Sequence, residues 1–65
     1  MNNVKMMSSL QKDFVASFLR SQLVSLRGVL ETIENSGRIE GSYVKEFLNR
    51  VEKELRQARK LYLNN

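Results

Sequence analysis

The turn that decides the fold of this chain is Asn-Ser-Gly-Arg-Ile-Glu-Gly-Ser, residues 35–42. Gly37 and Gly41 bracket it, and a regular apolar periodicity stops before it and restarts after it. No proline occurs anywhere in the 65 residues, so nothing else forces a helix to end. The sequence therefore predicts an all-α fold, an antiparallel two-helix hairpin forming a single domain. The predicted ranges are 1–65 for the domain, about 8–35 for helix 1, 36–41 for the turn and about 42–63 for helix 2.

Helix 1 has a recognisable start, stop and apolar seam. Ser8 and Gln11 have the spacing of a capping box, in which each side chain bonds the other's free backbone N–H. Gly37 is placed to end the helix in a left-handed conformation. The seam has the alternating three- and four-residue spacing of a and d positions. Its members are Ala16, Leu19, Leu23, Leu26, Leu30 and Ile33.

Helix 2 shows the same organisation. Ser42 is the predicted N-cap, and basic residues crowd the last turns, where they suit the negative end of a helix. The predicted seam is Val44, Leu48, Val51, Leu55, Ala58 and Tyr62, with Phe47 and Leu61 widening it. Glu46 with Arg50 and Glu52 with Arg56 have the spacing of favourable ion pairs along a helix.

The apolar surface of helix 1 is too wide for one neighbouring helix. At 100° per residue, its apolar residues cover about 200°, whereas one antiparallel neighbour buries a stripe of about 100°. The excess is expected along Phe14, Phe18 and Val29, and it would be covered if two hairpins form a four-helix bundle. The predicted oligomer interface is Phe14, Phe18, Leu19, Leu23, Leu26, Val29, Leu30, Val44, Leu48, Val51 and Leu55.

The composition argues against catalysis and against bound groups. The chain has no Cys and no His, which excludes disulfides and the usual zinc or haem ligands. Its carboxylates are scattered, and its glycines fit no phosphate-binding loop. We therefore expect no enzyme activity, no metal, no cofactor and no small-molecule substrate. The sequence has neither a secretory signal nor an apolar run of membrane length, so we expect a cytoplasmic protein without a membrane partner.

The net charge of +4 leaves two interpretations open. Such a bias is typical of a solvated helix surface, and it also suits an acidic or nucleic-acid partner. Arg20 and Arg27 lie one heptad apart and could contact phosphates. Gln22 lies inside the apolar arc beside Phe18, either as a boundary residue or as a polar contact for a ligand. Glu54 has the corresponding position on helix 2 and could pair with Arg50.

One stretch of helix 1, Phe-Leu-Arg-Ser-Gln-Leu-Val-Ser-Leu at residues 18–26, resembles the Rop family of plasmid copy-number regulators. The family stretch reads Phe-Ile-Arg-Ser-Gln-Thr-Leu-Thr-Leu, so five of nine positions are identical. Rop proteins are short hairpins that dimerise into a four-helix bundle and bind paired RNA hairpins. The resemblance implies RNA contacts at Phe18 and Gln22. Phe14 and Val29 stand where the family has Asn and Lys, and helix 2 shows no match.

Two functional hypotheses follow. The first is a non-enzymatic, self-associating protein-interaction or regulatory module whose partner is a second copy or another helical protein. The second is a Rop-like RNA-binding regulator that uses Phe18, Gln22, Arg20 and Arg27.

Overall fold

The computed structural model describes residues 6–63, which form two α-helices in contact with each other. Helix α1 runs Ser9–Asn35 and helix α2 runs Gly41–Leu63. No strand occurs within this range. The predicted all-α hairpin is confirmed, and both helices begin and end within one residue of the predicted positions.

The start of α1 is fixed by the predicted capping box. Ser8 is the N-cap, and its hydroxyl accepts from the Gln11 backbone N–H at 3.1 Å. The Gln11 side-chain oxygen accepts from the Ser8 N–H at 2.9 Å. The same Gln11 side chain donates through Nε2 to the Tyr62 carbonyl at 2.7 Å. The Gln11 side chain thus gives a hydrogen-bond partner to the backbone N–H at the start of α1, and it also connects this turn to the last turn of α2.

The turn differs from the prediction at both of its ends. No described glycine has a positive φ, so the predicted left-handed exit at Gly37 is wrong. Instead α1 ends at the C-cap Ser36, in extended conformation, whose N–H donates to the Thr32 carbonyl. The N-cap assignment of Ser42 is also wrong. Helix α2 already begins at Gly41, because the Glu40 carbonyl accepts from the backbone N–H groups of Tyr43 and Val44, three and four residues later.

Gly37→Ala is therefore expected to stabilise the hairpin by about 0.4–1 kcal/mol, because alanine restricts the unfolded chain more than glycine does. A Cβ built at Gly37 meets no atom within 4 Å, and the backbone there does not require glycine. The measurement is thermal unfolding followed by circular dichroism. A fall in melting temperature would show that this turn needs the freedom of glycine after all.

The two helices meet along one seam, and the side of α1 that faces α2 differs from the predicted side. The least exposed residues of α1 are Gln11, Val15, Phe18, Gln22 and Val29, and those of α2 are Val44, Phe47, Val51, Glu54, Ala58 and Tyr62. At the open end of the hairpin, Phe14 stacks on Tyr62 with ring centroids 5.7 Å apart. Phe47 is the most buried apolar residue, at 6% exposure. Helix α2 therefore covers the Phe18–Val29 side of α1.

The predicted division of the apolar arc is consequently reversed. Phe18 and Val29 were expected to form the uncovered strip, but they lie between the helices. The leucine seam of α1 was expected to face helix 2, but it is exposed. The physical reason is the width of the arc, since either half offers a stripe that one helix can cover. The side chosen places the aromatic rings of Phe18 and Phe47 between the helices, where large rings bury the most apolar area.

Candidate interaction surface

Six leucines form an uncovered apolar surface on the hairpin, here called the leucine face. It consists of Leu19, Leu23, Leu26 and Leu30 on α1 and Leu48 and Leu55 on α2. Their exposed fractions lie between 42% and 60%. Leu19 and Leu55 line one groove together with Ala58 and Tyr62, so the leucines of both helices are on the same side of the molecule. All six belong to the predicted oligomer interface.

The remaining predicted interface residues have a different place. Phe18, Val29, Val44 and Val51 are partly buried along the seam between α1 and α2. Phe14 is 48% exposed at the open end, where it stacks on Tyr62. The structure thus separates the predicted set into residues that hold the hairpin together and residues that the hairpin leaves uncovered.

Charged side chains border the leucine face on both sides. On α1, Arg20, Arg27 and Glu31 line a groove with Leu23. On α2, Glu52, Arg56 and Arg59 line a groove with Leu48 and Leu55. Glu52 and Arg56 form the predicted ion pair, at 3.6 Å. An apolar centre with a charged border is the usual composition of a protein–protein interface.

The other side of α1 is polar and small. Ser17, Ser21, Ser25 and Gly28 are all exposed there, and the helical repeat places them away from the leucines. Thr32 caps this track by donating its hydroxyl to the Gly28 carbonyl at 3.0 Å. The hairpin therefore has two unlike sides, and only the leucine side offers an extended apolar surface.

Gln22 and Glu54 form a polar contact in the middle of the apolar seam. Gln22 is 7% exposed, and its Nε2 donates to Glu54 Oε1 at 2.8 Å. Its Oε1 atom is buried and has no hydrogen-bond partner among the described residues. The expected pairing of Glu54 with Arg50 is not formed, because the Arg50 guanidinium lies over the Phe47 ring, 5.5 Å from its centroid. The predicted ion pair of Glu46 with Arg50 is likewise not formed within residues 6–63.

The four residues proposed for RNA contact do not share one surface. Arg20 and Arg27 are exposed beside the leucine face, whereas Phe18 is partly buried and Gln22 is buried between the helices. Gln22 uses one of its two Nε2 hydrogens to bond Glu54, and its burial between the helices leaves the other little access to a ligand in this conformation. Its role in RNA binding stays a prediction, and its burial disfavours that role.

Phe47 is the structural residue whose importance the sequence pattern understated. The predicted seam of helix 2 runs through Leu48 and Leu55, with Phe47 only at its edge, yet Phe47 is the most buried apolar residue described. The signal that could have identified it is the aromatic ring itself, which buries more area than a leucine side chain. Glu54, seven residues later on the same stripe, marks the same line along the helix.

Residues 6–63 contain neither a candidate metal site nor a helix that could cross a membrane. Its acidic residues form no group of three that could hold a metal ion. Neither α1 nor α2 combines the length and the apolar character that a bilayer-crossing helix needs.

Comparisons with known proteins do not assign the chain to a family. No family model matches it, and no curated protein or solved structure matches it significantly. Function must therefore be argued from the hairpin and its leucine face.

Proposed function

We propose that this chain is a non-enzymatic protein-interaction or regulatory module that self-associates through the leucine face into a four-helix bundle. The observation that carries the proposal is the position of the six leucines, which lie on one side of a hairpin that leaves them about half exposed. An exposed apolar surface of this extent, bordered by charges, usually marks an interface.

The surface area of the single hairpin supports the same proposal. It exposes 5822 Å², whereas a compact monomer of its 7.6 kDa mass exposes about 4,300 Å². The difference of about 1,500 Å² exceeds the ~800 Å² that each partner buries in a standard interface. A second copy is the simplest occupant, because it brings an equal leucine face and a matching charged border.

The burial pattern also supports a partner for the single hairpin. Among the described residues, Phe47 and Gln22 alone are buried, at 6% and 7% exposure. A chain of this size must usually add a disulfide, a metal or a second subunit to be stable. Without Cys and His, the second subunit is the remaining route.

The first test is the mass of the purified protein in solution. Sedimentation equilibrium at micromolar concentration is expected to give about 15 kDa, twice the mass of the chain. A folded species at 7.6 kDa across that concentration range would contradict the proposal. As a control for non-specific association, a small helical protein of unrelated sequence is added to the same preparation. The mass of the dimer is expected to stay unchanged.

RNA binding is retained as a second candidate because Arg20 and Arg27 are exposed one heptad apart on the border of the leucine face. A four-helix bundle would hold two such arginine pairs. Arginine contacts with phosphates contribute to RNA affinity without recognising the RNA sequence. The burial of Gln22 makes this the weaker candidate. A gel shift with paired RNA hairpins at 150 mM salt separates the two, because the self-associating module is expected to bind none.

A further inference from the structure

Two rows of charged residues follow the borders of the leucine face, and the members of each row are seven residues apart in the sequence. On α1 the row is Asp13, Arg20, Arg27 and Glu34, and on α2 it is Lys45, Glu52 and Arg59. All seven residues are exposed. The seven-residue spacing keeps each row on one side of its helix, as at the e and g positions of coiled coils, which determine which helices pair and in which direction.

Contacts within the hairpin fix the height of each charge along the molecule. Gln22 lies level with Glu54 through their hydrogen bond, and Phe14 lies level with Tyr62 through their stacked rings. Counting from these pairs along antiparallel helices, Glu52 lies at a height between those of Arg20 and Arg27. By the same count Arg59 lies about one turn from both Asp13 and Arg20, and Lys45 about one turn from both Glu34 and Arg27, so Glu52 is the charge with opposite charges on both sides.

We propose that the second copy packs on the leucine face with its turn at the same end, so that α1 of each hairpin lies against α2 of the other. This inference rests on the proposed self-association and adds its direction. A two-fold axis parallel to the helices leaves every height unchanged, so the partner's Glu52 comes between Arg20 and Arg27. The same symmetry brings the partner's Arg59 between Asp13 and Arg20 and the partner's Lys45 between Arg27 and Glu34, where attraction and repulsion offset each other, so the attraction at Glu52 favours this arrangement.

The opposite arrangement, with the turns at opposite ends, brings like charges together. It packs α1 on the partner's α1 and α2 on the partner's α2. With α2 centred on the partner's α2, Glu52 meets the partner's Glu52, Arg59 meets the partner's Lys45, and Arg20 lies near the partner's Arg27. Like charges at facing positions suppress a pairing, so the charge rows select the arrangement with both turns at one end.

The unfavourable contact at equal height in the selected arrangement, between Arg56 and the partner's Arg20, is moderated by Glu52. Arg56 lies at the height of the partner's Arg20, and these two charges would repel. The Glu52 carboxylate pairs with Arg56 at 3.6 Å within the hairpin. In the bundle it also faces Arg20 and Arg27 of the second copy, so a single carboxylate lies among three guanidinium groups.

The test is a distance between labels at the turns. The chain has no native Cys, so Ser36→Cys accepts one spin label on each copy at an exposed position. Neighbouring helices in a bundle are about 8–10 Å apart, so the turn labels are expected within about 20 Å of each other. A distance of about 40 Å, the length of a 27-residue helix, would overturn the arrangement. A monomer giving no distance would overturn the self-association itself, so the two failures are distinguishable.

A charge reversal provides an independent measurement. Glu52→Arg is expected to weaken the dimer about tenfold, because attraction to two arginines of the second copy becomes repulsion. The control is Glu46→Arg, which changes the net charge equally on an exposed part of α2 away from the leucines, and is expected to leave the dissociation constant within about twofold. If Glu52→Arg leaves the dimer as strong as Glu46→Arg does, the charge rows do not set the direction and the proposal is wrong.

Discussion

Phe47→Ala is expected to unfold the chain at room temperature. Phe47 is the most buried apolar side chain described and lies on the seam between α1 and α2. Replacing a buried phenylalanine with alanine costs about 3–5 kcal/mol, because apolar contacts are lost and a cavity remains. A single core in a chain of this size supplies about the same amount, 3–5 kcal/mol. Circular dichroism at 222 nm should therefore show that most of the helical signal is lost.

The control is Leu61→Ala, which also truncates a large apolar side chain to alanine on the same helix. Leu61 is 75% exposed, so its replacement is expected to change stability by no more than about 0.5 kcal/mol. If Phe47→Ala melted at the same temperature as Leu61→Ala, the seam would not run through Phe47, and the pairing of the helices would have to be revised.

Leu19→Asp is expected to convert the assembly into monomers. Leu19 lines the groove shared with Leu55 on the leucine face, near the open end of the hairpin. In a two-fold bundle the substitution places two unpaired carboxylates in one interface, and removing a charge from water costs several kcal/mol for each ion. In a single hairpin the same position is half exposed, so the carboxylate stays hydrated there. Sedimentation equilibrium should give about 7.6 kDa.

Leu61→Asp is the control for this substitution. Leu61 is 75% exposed on α2 and lines none of the grooves of the leucine face. Its replacement is the same change of side chain, yet the dimer is expected to survive. If Leu19→Asp also sediments as a dimer, the interface lies on another surface.

The sequence predicted the hairpin well because each boundary has a local chemical cause. The capping box of Ser8 and Gln11 needs only residues three apart, and it forms as predicted. The composition predicted the position of the turn at residues 36–40, but it did not predict the backbone conformation of the turn. Gly37 could be left-handed and is not, because Ser36 closes the helix in extended conformation, and glycine permits either solution.

The pairing of the helices could not be predicted in the same way. The apolar arc of helix 1 includes Phe18 and Val29 on one half and the leucines on the other, and periodicity alone treats both halves equally. The outcome depends on which side chains of two helices fit together. Gln22 and Glu54 illustrate this, since each was recognised as a polar residue on an apolar stripe, but their mutual hydrogen bond requires the three-dimensional register.

If the hairpin self-associates as proposed, the small number of buried side chains among residues 6–63 has a consequence for how much of the protein is folded at a given abundance. Folding that is completed by association obeys mass action, so dilution itself unfolds an obligate dimer. Backbone amides are then expected to exchange with deuterium faster in dilute than in concentrated samples, although the buffer is the same. In a cell, chains made in small amounts would stay open to proteases, while those made above the dissociation constant would persist. Such a protein responds to its own level of synthesis without any ligand.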